Sequence, residues 1–171
     1  TIDPDVLSTV FYKTIHHEKL VKLDHHVLEL LKDKTVFFDL RHFNPCSNSI
    51  IESTKIKNAL LALEMDSLEN YIFITSNYEL LETLADEFKV FYSTDNYAQG
   101  LQFMFDYPEC DGLVIRNVSI TAVEVHAIQT LNKQVAIFEV RSPKGTKIAF
   151  NKAPDYLITD ELRTALSIAH Q

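Results

Sequence analysis

Asp39 and Arg41 stand two residues apart at the end of an apolar, β-favouring run, TVFFDL, residues 35–40. Residues i and i+2 of a strand project to the same side. A carboxylate able to hold a hard cation and a guanidinium able to grip a phosphate oxygen through two N–H groups would therefore share one mouth. Polar residues recur at the ends of the other apolar runs: Ser76 and Asn77, Thr94 and Asp95, Arg116 and Asn117, Glu139 and Arg141, Thr159 and Asp160. The plainer reading is that Asp39 and Arg41 make structural ion pairs, because every strand terminus carries polar groups and only some are used.

The elements that must position these residues alternate. Strand-length apolar runs lie at 35–40, 71–76, 89–94, 112–118, 134–140 and the start of 155–162. Between them, segments 51–69, 77–88, 96–107 and 119–133 carry helical spacing, as do 20–34 before the first run and 161–171 after the last. Ser119 or Thr121 can cap the helix that has Glu124 in its first turn. NPCSNS (44–49) reads as a polar loop, and Lys144-Gly145-Thr146-Lys147 as an ordinary turn that could also touch an anion. Strands apolar on both faces, alternating with helices, predict a parallel sheet covered by helices: an open doubly wound sheet or a closed (β/α)8 barrel. In both, the loops after the strands gather on one face. With only Gly100, Gly112 and Gly145 in the chain, no Gly-rich phosphate loop supports a dinucleotide fold.

A chain of 171 residues, 46% apolar, can bury one core, and a single domain over residues 1–171 is expected, with no transmembrane segment. A formal charge of −8 argues against a nucleic-acid partner, which needs a basic face to neutralise phosphates. A small anionic ligand needs only a local cation. The first residue is Thr and no leader-like segment opens the chain, so an excised or processed form of a soluble, cytoplasmic protein is expected. Cys46 and Cys110 lack metal-ligand or CxxC spacing and are expected as free thiols, and Cys46 has no base beside it to make a nucleophile. His16-His17 and His25-His26 are adjacent pairs that diverge on a strand and on a helix alike, so neither chelates readily; His126 and His170 are expected at the surface.

Four stretches carry a family likeness. LELLKDKTVFFDLR (28–41) is similar to a helix followed by a strand ending in Glu-x-Lys, here Asp39-Leu40-Arg41. YIFITSN (71–77) is similar to a strand ending in Ser-Phe, and QVAIFEVRS (134–142) to one ending in an aromatic-Thr-Val-Asn run, with Phe138 and Val140 kept and the asparagine lost. APDYLITDEL (153–162) is similar to a closing strand with Ile158-Thr159-Asp160. In this order they resemble the glycerophosphodiester phosphodiesterase family, (β/α)8 barrels related to the phosphatidylinositol phospholipases. TIDPDVLSTVFYKTIHHEKL (1–20) resembles, more loosely, a Glu-x-Asp strand followed by His-Asp-x-x-Leu, with Asp3 at the aspartate, His16 at the histidine, and Thr1 and His17 at the departures.

The resemblance implies a TIM-barrel-like fold and metal-dependent hydrolysis of a small phosphodiester. It implies a divalent ion, Mg or Ca, with Asp3 and Asp39 among its ligands, and His16 as one of two acid-base histidines. The second histidine, from a His-Arg-Gly motif on the first strand, has no counterpart in the chain. A barrel of eight strands does not close with six or seven, so an incomplete or partly open barrel, its first strand missing, is expected. Two alternatives stay open beside the enzyme: a domain that has lost catalysis but keeps a phosphate pocket through Arg41, Arg116 or Arg141, and an interaction domain with no small-molecule site.

Overall fold

The computed structural model describes residues 23–40, 43–44, 49–63, 65 and 68–170. Asp3, His16, His17, Arg41, His42 and Cys46 lie outside them, and with them the expectations for the metal ligand Asp3, the acid-base His16 and the phosphate-binding Arg41.

Each apolar run becomes a strand. In chain order the elements are α1 (His25–Leu31), β1 (Val36–Asp39), β2 (Phe43–Asn44), β3 (Ser49–Ile50), α2 (Ser53–Leu61), β4 (Tyr71–Thr75), α3 (Tyr78–Ala85), β5 (Lys89–Thr94), α4 (Tyr97–Asp106), β6 (Gly112–Arg116), α5 (Ala122–Gln129), β7 (Gln134–Val140), α6 (Pro143–Phe150), β8 (Tyr156–Thr159) and α7 (Leu162–Ala169). Six strands form one sheet in the order β1-β4-β5-β6-β7-β8, every neighbouring pair parallel. None of the described helices is long and apolar enough to cross a membrane.

The alternation of side chains divides the sheet into two apolar faces. The outer one, with Phe73, Val90, Leu113, Ile115, Val135 and Ile137, is covered by Leu80, Leu81 and Leu84 of α3 and by Val125 and Ile128 of α5. The inner one holds Ile72, Ile74, Phe91, Val114 and Ala136, with Phe37, Phe138 and Tyr156 packed against them. A flat sheet would put its first and sixth strands about 24 Å apart, five spacings of about 4.8 Å. Instead the rings of Phe37 on β1 and Tyr156 on β8 meet edge to face at 5.0 Å, although these strands are not hydrogen-bonded neighbours. Phe91 lies 6.1 Å from each. The sheet is thus curled into a half-barrel whose inner side is filled by aromatic rings, the parallel, partly open α/β barrel that the family resemblance implies; the strand and helix pattern alone left an open doubly wound sheet as an alternative.

The two rims are built differently. At the starts of the strands, Asp111 accepts the N–H of Val90 at 2.8 Å and Asp155 that of Val135 at 2.8 Å. Each aspartate precedes one strand and ties down the start of its neighbour. At the strand ends a Thr hydroxyl accepts the N–H two residues on, Thr75 from Asn77, Thr94 from Asn96 and Thr159 from Glu161, at 2.9 to 3.2 Å. Asn77 and Asn96 then cap α3 and α4 through the N–H groups of Leu80 and Gln99. At two of these three turns the sharp change from strand to helix is therefore written locally as Thr-x-Asn.

Three segments differ from expectation. The Lys144-Gly145-Thr146-Lys147 turn is part of helix α6: Ser142 accepts the N–H of Gly145 at 3.1 Å, Pro143 sits in the first turn where its missing N–H is harmless, and Thr146 is fully buried. The Pro and Gly that read as punctuation are a helix start. The long helix of 51–69 ends at Leu61, with a 3₁₀ turn at Leu68–Asn70 before β4. The flanks of the NPCSNS loop pair as a short antiparallel ladder, Phe43 with Ile50 and Asn44 with Ser49.

Candidate active site

At the strand ends, inside the curl, lies a cavity of about 510 Å³ lined by Phe37 and Asp39 of β1, Ile74 of β4 and Ser76 just after it, Ser93, Thr94 and Asp95 of β5 and its tip, Val114 and Arg116 of β6, Phe138 of β7 and Ile158 of β8. Its lower wall is apolar and its rim polar, the composition of a small-molecule site, and its size suits one. The strand phases explain the lining. Phe37 and Asp39, Ile74 and Ser76, Ser93 and Asp95, Val114 and Arg116 are each two residues apart, so the inward faces of β1, β4, β5 and β6 each end in a polar group.

Arg116 is the cation of this lining. Its Nε donates to Asp95 Oδ1 at 2.6 Å and its Nη1 to Glu139 Oε2 at 3.1 Å, and its guanidinium carbon lies 5.6 Å from the centre of the Phe138 ring. The bond to Asp95, with the nearby charge of Glu139, makes the guanidinium even harder to deprotonate than usual. Beyond Glu139 the pairing continues: Arg141 Nη2 lies 4.0 Å from Glu139 Oε1 and its Nε 3.8 Å from Asp160 Oδ2. Opposite charges thus alternate across the tips of β5, β6, β7 and β8. The outer pairs are exposed and each is worth at most about 1 kcal/mol.

Glu139 reaches this network through an irregular backbone. Its φ is 61°, in the left-handed region, and the ladder between β7 and β8 shifts register between Ile137 and Val140. In an unbroken strand Glu139 would follow Ile137 onto the helix-facing side. The bulge gives that place to Val140, 1% exposed, and spares a carboxylate from burial. For a glutamate such backbone costs on the order of 1 to 3 kcal/mol.

Of the expected site residues, Asp39 and Arg116 both line this cavity. Arg141 is at the rim, in the ion pairs above, and not among the lining residues. Sequence reading gave Asp95 and Glu139 only as strand-end polar groups; the Arg116 pairings give them a part, and their recurrence at successive strand tips was the available signal. His25, His26, His126 and His170 are exposed, as expected, and no histidine is among the described lining residues. Cys110 is a free, buried thiol whose Sγ donates to the Gly112 carbonyl at 3.2 Å; burial pushes its pKa up, the opposite of what a nucleophile needs.

The donors for a divalent ion can be weighed in the same way. Asp39 and Asp95 are the carboxylates of the lining, Asp95 is engaged by Arg116, and no cluster of three His, Cys, Asp or Glu side chains able to hold a metal occurs among the described residues. These residues do not by themselves fit such an ion. What they can do is bind: guanidinium N–H groups and the hydroxyls of Ser76 and Ser93 suit phosphate or ester oxygens, with Phe37, Val114 and Ile158 as an apolar floor.

No family model matches the chain, and no curated protein matches it by sequence. Solved structures do match its fold. An Oleispira antarctica phosphodiesterase in complex with the product sn-glycerol-3-phosphate superposes with a TM-score of 0.70 at 17% identity, over 86% of this chain and 60% of that one. A glycerophosphodiester phosphodiesterase from Parabacteroides distasonis gives 0.75 at 17% identity, over 99% of this chain and 71% of that one. The chain therefore spans about three-fifths of the first of these structures, and it resembles the glycerophosphodiester phosphodiesterases in fold.

Proposed function

We propose that the strand-end cavity binds a small phosphodiester of the glycerophosphodiester type and that the protein hydrolyses it. The observation that carries this reading is the convergence of Asp39, Ser76, Thr94, Asp95 and Arg116, from four parallel strands, on one cavity, in a fold that solved phosphodiesterases share. Arg116 would hold the phosphate, leaving the glycerol and head-group portions to the hydroxyl rim and the aromatic wall. Hydrolysis also needs a water activated for attack on phosphorus and a proton for the departing alkoxide. His16 is the proposed proton carrier, and Asp39 with Asp3 the proposed holders of a divalent Mg or Ca ion, whose contribution would be to offset phosphate charge; Arg41 and Arg141 are proposed as further phosphate contacts.

The test is hydrolysis of glycerophosphocholine by the full-length protein with Mg or Ca. Choline release is expected, with Asp39→Asn abolishing it and Arg116→Gln raising KM about tenfold or more, the loss of a charged hydrogen bond. The absence of both turnover and binding of sn-glycerol 3-phosphate would sink the reading. A second reading, binding without turnover, is favoured by the lack of any histidine among the described lining residues. Calorimetry that finds binding where the assay finds no product, with each metal supplied, would establish it.

A further inference from the structure

Glu139 is one of three described non-glycine residues with positive φ; the other two, Asn132 and Ala153, lie in connections leading from a helix to the next strand. Glu139 alone sits inside a strand, where nothing in the local sequence asks for a left-handed residue. What the bulge achieves is long-range: it brings the carboxylate to Arg116 Nη1 at 3.1 Å while Asp95 takes Nε at 2.6 Å. Two edges of the guanidinium are then fixed, one face is covered by Phe138, and Nη2 has no acceptor among the described residues.

We propose that Glu139 is a positioning residue: its bulge exists to hold the Arg116 guanidinium in one orientation at the cavity, with the Nη2 edge offered to the phosphate of the ligand. This rests on the reading of the cavity as a phosphodiester site. Arg side chains lose much rotamer freedom when they bind, and a guanidinium already held on two edges has little left to lose. The consequence runs against simple charge counting. Glu139 is an anion 3.1 Å from the cation that grips an anionic ligand, so by Coulomb's law alone its removal should tighten phosphate binding. Positioning predicts that its removal weakens binding.

The experiment is calorimetric titration of sn-glycerol 3-phosphate into the full-length protein and its Glu139→Gly, Glu139→Gln and Arg116→Gln variants, each with a thermal melt. Glycine adopts the left-handed backbone freely, so Glu139→Gly is expected to melt no lower than the parent and yet bind about tenfold more weakly, the freed guanidinium having its ordering to provide at the moment of binding. Glu139→Gln, which keeps an acceptor oxygen, is expected between the two. A purely structural role for Glu139 would instead lower the melting temperature and leave affinity alone, and that result overturns the proposal. So does equal or tighter binding by both Glu139 variants while Arg116→Gln loses the ligand, which would leave the phosphate reading standing. If the parent protein does not bind the probe at all, the reading and the inference fall together.

Discussion

At the scale of the residue, the cavity depends on small choices on the inner face. Gly112 opens β6 on that face, and a Cβ there would lie 2.4 Å from the Gln134 carbonyl oxygen and 2.8 Å from the Phe91 ring. Backbone cannot yield as a side chain can. At Gly100, by contrast, the nearest atoms to a new Cβ, at 2.7 to 3.1 Å, all belong to the side chains of Leu113 and Thr94. Gly112→Ala is therefore expected to destabilise by about 3 kcal/mol, the upper end for overpacking, and Gly100→Ala by clearly less. Urea melts of the two variants check the ordering; equal losses would show that the Gln134 strand moves freely. Glu139 makes the converse point, a residue kept in backbone that its side chain disfavours because the carboxylate is needed elsewhere.

At the scale of the element, the strand-to-helix turns carry their own instructions. Thr121 starts α5 with a full capping box: its Oγ1 accepts the N–H of Glu124 while the Glu124 carboxylate accepts the N–H of Thr121 at 2.7 Å. The sequence offered Ser119 or Thr121 as the cap with Glu124 in the first turn; the structure takes Thr121, which stands three residues before the glutamate and so can close the box. Thr121→Ala is expected to lower stability by about 1 kcal/mol, read as a shifted urea midpoint at unchanged slope, with the binding of sn-glycerol 3-phosphate unaffected. Helix α6 was misread for a related reason. Pro143 and Gly145 usually mark breaks, and only the Ser142 cap, with Thr146 and Ala149 facing the core, turns the same letters into a helix.

At the scale of the whole molecule, the site exists only because the sheet curls. Its polar groups come from strands far apart in sequence, and a ligand that bridges them adds a link to the ion pairs that already join the strand tips. Saturation with sn-glycerol 3-phosphate at a hundredfold over Kd should raise stability by about 2.7 kcal/mol, seen as a higher melting temperature that Arg116→Gln no longer shows. An unmoved melting temperature in the parent would mean that the cavity does not take this ligand.

The succession of strands and helices, their parallel sense and the recurrence of polar groups at the strand ends followed from the amino-acid sequence alone, because apolar periodicity and two-residue alternation act over a few residues and need no partner; which of those groups, Asp39, Ser76, Asp95 and Arg116 among them, line the cavity did not. The partners were another matter. That Arg116 takes Asp95 and Glu139, that the phase of β7 slips at Glu139, and that Phe37 meets Tyr156 across the curl were decided by the tertiary structure. Each is a choice among residues distant in sequence, settled by which side chains the curvature brings within reach and by which of them would otherwise be buried without a partner.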